Sequence, residues 1–199
     1  MTWRQPTNLC ERRDEGTLAI AAAVLVASLD VAVDSALRLD ALRHVGIAPV
    51  APHVTNYDRE TWSLLHTMLV EERRLMEFLL GPRTDKTGLH RQPDDICVTC
   101  FSKSPEGMWR LPQQHQKIFR ERMTRINKRL AHFAWVLTED DPRTVVGTWQ
   151  TGYLREVAEQ LWSFREWLTA QRPAAAAAMY ERLSEARHRA ALLPAPGLP

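Results

Sequence analysis

Apolar residues in this chain recur at three- and four-residue intervals and nowhere alternate with polar ones for long enough to make a strand, so the predicted elements are helices. Residues 1–16 are polar, carry charges of both signs and read as a loosely ordered lead-in. From Thr17 to about His44 runs an Ala/Leu/Val stretch whose charges, Asp30, Asp34, Arg38 and Asp40, begin only in its second half, with Gly46 as a stop. Its longest uncharged run, Leu18 to Leu29, has twelve residues. A membrane span needs roughly 20, so this stretch predicts a helix buried in protein. The second helix has Asn56 or Asp58 to cap its start and Gly81 followed by Pro82 as its stop, with Trp62, Leu65, Leu69, Met76 and Leu79 on one face. The third, about Pro112 to Thr138, carries Phe119, Met123, Ile126, Leu130, Phe133 and Leu137 at alternating steps of four and three. Leu154, Val157, Leu161, Phe164 and Leu168 repeat the device in a fourth helix. Pro173 separates it from a fifth, Ala174 to about Leu192, where a five-alanine run favours helix.

Residues 82–112 hold four prolines and two glycines with no periodic segment between them, which predicts one long irregular crossing, functional or disordered. The sum is an all-α bundle of about five helices forming a single domain over residues 17–192, with 193–199 as a tail.

Composition adds bounds. A chain of 199 residues, 45% apolar and 25% charged, is globular and long enough to bury a core. Its 26 basic and 24 acidic residues leave a net charge of +2, so no whole-molecule field draws nucleic acid or anionic lipid. Three cysteines, Cys10, Cys97 and Cys100, with no signal-peptide grammar, predict a cytoplasmic protein rather than a secreted disulfide framework, and no membrane partner.

The net charge conceals a local one. The third helix holds Lys117, Arg120, Arg122, Arg125, Lys128 and Arg129 against one acid, Glu121, in the segment KIFRERMTRINKR. On a wheel with Arg125 at zero the apolar stripe centres near roughly 120°, while Lys128, Arg129 and His132 fall at roughly 300°, 40° and 340°. Two readings stay open. Cations along a helix can neutralise an RNA or nucleotide backbone, with His132 as an acid or base near neutral pH. Equally, the same side chains can form a solvated face paired with acids of the next helix. Trp135, at roughly 280° on this wheel, could stack a base, fill a dimer interface or pack under the long loop.

The words NKRLAHF (Asn127 to Phe133), ERRLMEFL on the second helix and DDI in the loop resemble a group of bacterial helical proteins, which in turn resembles the HEPN superfamily (higher eukaryotes and prokaryotes nucleotide-binding). The resemblance covers roughly residues 60–170. It implies a helical bundle that often dimerises, with metal-independent ribonuclease activity in many members and binding alone in others. The family signature, Arg, four to six residues, then His, is matched by Arg125 and His132, which become the catalytic candidates; where the family usually has a polar residue directly after the arginine, this chain has Ile126, with Asn127 one place later. Arg38/His44, Arg59/His66, Arg83/His90, Arg110/His115 and Arg182/His188 satisfy the spacing too, so placement on the non-core face of a central helix is what singles out Arg125/His132. The two lie roughly 10 Å apart along the axis, a separation that a site built from two copies of the helix would ease.

Lys128, Arg129, Asn127 and Arg73 are the phosphate- or RNA-binding candidates. Arg73 and Glu77 form an i,i+4 pair near His66, readable as part of that site or as an ordinary helix ion pair. Asp94 and Asp95 could pin the loop to arginines or cap a short helix. Cys97 and Cys100 form a lone CxxC flanked by His90 and His115, better read as buried thiols than as zinc ligands, and no Gly-rich phosphate loop, nucleophile elbow or HExxH occurs. No metal or cofactor is expected. The alternative to RNA or nucleotide binding is a non-catalytic interaction or scaffold protein that uses the basic face for a partner or a second copy.

Overall fold

The computed structural model describes residues 14–44, 56–81, 96–103, 107–131 and 151–195. Among them are five α-helices and no strand: α1 (Glu15–His44), α2 (Asn56–Leu80), α3 (Gln113–Ala131), α4 (Tyr153–Gln171) and α5 (Pro173–Ala190). One 3₁₀ turn, Val98–Phe101, lies between α2 and α3. The chain is an all-α bundle. The parts of the third helix predicted beyond Ala131, including His132, Phe133, Trp135 and Leu137, lie outside the described residues.

Local chemistry sets the ends. Asp14 caps α1, its carboxylate accepting from the Thr17 amide at 2.7 Å and the Thr17 hydroxyl at 2.8 Å. The helix therefore starts at Glu15, two residues before the Thr17 that its apolar period suggests. Gly81 ends α2 with φ of +71°, its amide donating to the Phe78 carbonyl, a conformation that a Cβ would strain. Pro173 opens α5, where a missing amide costs no intrahelical bond, and Arg187, His188 and Arg189 in the last turn complement the helix dipole.

α1, α2, α4 and α5 form a ring: α1 packs along α2 and α5, α5 along α4, and α4 returns to α2. The core faces expected of α2 and α4 are buried, with Leu65, Leu69, Met76, Leu79 and all five predicted α4 residues inside and Trp62 half-buried. Three arginines fasten the ring. Arg189 of α5 grips Asp30 and Asp34 of α1 at 2.7 and 2.9 Å, Arg172 meets Glu15 and the Phe101 carbonyl, and Arg187 meets Glu159.

Two expectations need correction. The first is that α1 is buried in protein. Leu18, Ala22, Val26, Leu29, Val33, Ala36 and Leu39 are, but Ile20 and Val24 on its other side remain 68% and 59% exposed. By length and composition this helix could also cross a bilayer. Its apolar residues run all round the cylinder, so the sequence pattern offers no polar face to distinguish sides. The second concerns residues 82–112. Val98 and Phe101 of the 3₁₀ turn, with Cys97 before it and Trp109 and Leu111 in irregular chain after it, enter the core without any period, because neither a single turn nor irregular chain has one. Phe164 of α4 is their hub, with ring centroids 5.3 Å from Phe78, 5.4 Å from Phe101 and 5.5 Å from Trp109, all edge-on.

Candidate nucleic-acid interface

Phe119, Met123 and Ile126 bury the inner side of α3, while Leu130 packs half-buried at the edge. The helix sits over the seam between α2 and α4. It reaches α4 through His115, whose Nε2 lies 3.2 Å from Glu156 and 3.5 Å from the Gln160 amide nitrogen. It reaches α2 through Arg122, whose Nε and Nη2 donate to the two Glu72 carboxylate oxygens at 2.7 and 2.9 Å. The Arg122 guanidinium also lies 4.6 Å above the Tyr153 ring.

That pair changes the composition of the basic face. Arg122 is 4% exposed and Glu72 1%, so one of the six cations counted on this segment belongs to the core. The wheel contained the signal: Arg122 falls at roughly 60°, within the apolar stripe, and Glu72 falls amid the stripe of α2. A lone acid and a lone base, each inside an apolar stripe, are the pattern of a buried ion pair.

Lys117, Arg120 and Arg125 are exposed, as are Gln113, Gln114, Glu121 and Thr124. The three cations span roughly 12 Å of helix axis. Elsewhere, Arg38, Arg73, Arg74, Arg172, Arg187 and Arg189 each meet a carboxylate. Lys117, Arg120 and Arg125 meet none among the described residues. Glu121 stands one turn from both Lys117 and Arg125, so three cations against one acid leave a net positive field for an incoming anion.

The remaining candidates are distributed unevenly. Asn127 is half-buried at the margin of the face, and its buried Oδ1 has no partner among the described residues. Lys128 and Arg129 lie within α3, with side chains outside the description, and His132 lies outside it altogether. Arg125 is therefore not brought together with its predicted catalytic partner in the described part. Arg73 donates to Glu77 at 3.0 Å on a half-exposed stretch of α2, the ordinary i,i+4 pair. The Cys97 and Cys100 sulfurs are buried 3.7 Å apart, but only Cys97 is a free thiol and Cys100 is disulfide-bonded, which corrects the reading of both as thiols; no cluster of three or more potential metal ligands occurs among the described residues. Sequence reasoning missed the His115–Glu156 contact, because which acid faces which histidine depends on helix neighbours. No protein-family model, curated protein or solved structure matches the chain.

Proposed function

We propose that this protein binds RNA or a nucleotide through the outward face of α3, and that Arg125 and His132 give it metal-independent ribonuclease activity. One observation carries the binding: Lys117, Arg120 and Arg125 stand exposed along a single helix and form no ion pair among the described residues. Lys128 and Arg129 extend the same series of cations along the helix, Asn127 is a candidate at its margin, and Arg73 of α2 is a further candidate, already paired with Glu77.

In the cleavage step the ribose 2′-oxygen bonds to phosphorus as the bond from phosphorus to the 5′-oxygen breaks, leaving a cyclic phosphate and a free 5′-hydroxyl. His132 takes the 2′ proton or supplies the proton to the leaving oxygen, and Arg125 stabilises the charge building on the phosphoryl oxygens. The second reading is a non-catalytic binding protein that uses this face for a partner or a second copy. The exposed Ile118 on the same face favours it, since an apolar side chain contributes nothing to phosphate recognition.

Two measurements test these claims. Single-stranded RNA binding followed against salt should give a steep slope that falls by about 0.7 for each of Lys117→Ala, Arg120→Ala and Arg125→Ala; a slope unchanged by all three overturns the binding site. Cleavage of mixed RNA with chelator present should be lost in His132→Ala. Equal cleavage by both proteins, or none by either, removes the catalytic part.

A further inference from the structure

The turn between α2 and α3 holds two sulfurs in different states. Cys97 is a free thiol and Cys100 is disulfide-bonded, and both are buried. Their Sγ atoms lie 3.7 Å apart. The backbone fixes that approach: the Cys100 amide donates to the Cys97 carbonyl at 2.9 Å, and the Cys97 amide donates to the Cys100 sulfur at 3.4 Å. The chain has three cysteines, so the partner left to Cys100 within it is Cys10. The start of α1 stands beside the turn, since Arg172 donates to both Glu15 and the Phe101 carbonyl. Cys10 precedes Glu15 by five positions, a length of chain that reaches up to roughly 17 Å.

We propose that Cys97 is the exchanging thiol of a disulfide switch: it attacks the Cys100 sulfur and moves the disulfide from Cys10–Cys100 into the turn as Cys97–Cys100, which unties the N-terminal segment.

The step balances without an added oxidant or reductant. The Cys97–Cys100 bond forms as the Cys10–Cys100 bond breaks. The Cys10 sulfur leaves with the electron pair of the broken bond and takes up the proton that Cys97 gives away, so one disulfide and one thiol stand on each side. Thr99 Oγ1 lies 2.9 Å from the Cys97 sulfur, where its hydroxyl can donate to the attacking thiolate. A hydrogen-bonded turn keeps its end Cα atoms within about 7 Å, close to the roughly 4.4–6.8 Å that a disulfide spans, so the product fits the turn with little backbone movement.

Burial selects this reaction. At 4% exposure Cys97 is closed to thiols and oxidants in solution, and the sulfur it can react with is the one beside it. Zinc needs more ligands than the described residues bring together. The exchange also changes what the cross-link constrains. Cys10–Cys100 ties distant parts of the chain, whereas Cys97–Cys100 closes a loop of a single turn. The switch does not depend on the α3 reading.

The test uses the full-length protein purified without reductant and incubated folded with N-ethylmaleimide in mildly alkaline buffer. It is then denatured, digested without reduction and mapped by mass spectrometry. Label should accumulate on Cys10 while Cys10–Cys100 gives way to Cys97–Cys100, at a rate independent of protein concentration. In Cys97→Ser, the Cys10–Cys100 disulfide should persist, with at least about tenfold less label on Cys10 over the same time. Label on Cys97 with Cys10–Cys100 intact, no label on any cysteine, label on all three, or a rate that rises with protein concentration overturns the proposal. So does equal labelling of Cys10 in Cys97→Ser, or a disulfide that joins Cys100 to a second copy. Should that variant not fold, the position of the label in the parent carries the test alone.

Discussion

Removing Arg122 should cost this protein more than removing any exposed cation, although it is one charge among many. Its guanidinium and the Glu72 carboxylate are almost fully excluded from water and joined by two hydrogen bonds of 2.7 and 2.9 Å. Neither charge has solvent to fall back on. Breaking such a pair from one side leaves the other ion buried and costs about 3–5 kcal/mol, a fifth or more of the 5–15 kcal/mol that typically holds a domain together. Arg122→Met and Glu72→Met should each show it. With a urea dependence of roughly 2–3 kcal/mol/M for a chain of this size, the unfolding midpoint should fall by about 1–2 M. Arg122→Lys should lie between, because an ammonium cannot make the two parallel bonds. The double variant Arg122→Met/Glu72→Met removes both charges at nearly constant volume and should regain most of the loss. Equilibrium unfolding of the four proteins, read as a double-mutant cycle, isolates the pairwise contribution. Single variants within about 1 kcal/mol of the parent, or a double variant as costly as the sum of its singles, would refute the reasoning.

Asp14→Ala should destabilise the protein at neutral pH. The hydrogen bonds from the Thr17 amide, then from its hydroxyl, hold the Asp14 carboxyl below its ordinary value of 3.8. The folded value being lowered, this contribution is complete above that pH and disappears as pH falls through the lowered value. Thermal melts of parent and variant should therefore differ at pH 7 and converge in strong acid; a gap that ignores pH would count against the cap. Phe164→Ala should cost about 3–5 kcal/mol in chemical denaturation, since the ring is the meeting point of α2, the 3₁₀ turn and α4, and a loss below about 1 kcal/mol would show that these contacts do not hold the turn in place. Gly81→Ala should cost about 1–2 kcal/mol through its positive φ, and Gly81→Asn less, because asparagine tolerates the left-handed region; equal costs would point instead to crowding against Val98.

The parts of the fold legible in the sequence are those with one-sided periods. Leu154 to Leu168 and Phe119 to Ile126 mark their buried faces because polar residues occupy most of the other sides. α1 hid its orientation for the opposite reason. With alanine and valine all round, nothing in the spacing says that Ile20 and Val24 are left outside, and only the positions of α2 and α5 decide it. Phe101 and Trp109 were illegible in another way, since a short turn and the irregular chain after it reach the core through where their neighbours stand, not through a repeat. At the candidate site the exposure of Arg125 could be read from its angle to the stripe. Arg122 escaped because it was counted by charge when its angle already placed it with Phe119 and Ile126.

The clasp of Arg189 on Asp30 and Asp34 joins residues 159 and 155 positions apart. A ribosome adding about 5–20 residues per second needs roughly 8–30 s to travel that distance. For that interval, the side of α1 destined for α5 has been made while its cover has not. Leu18, Val26 and Val33 must be shielded meanwhile by something transient, whether early pairing with α2 or a chaperone. The contact that closes the bundle waits for the whole of that interval, and slowing translation should expose this chain to aggregation more than it would a bundle closed by neighbouring helices.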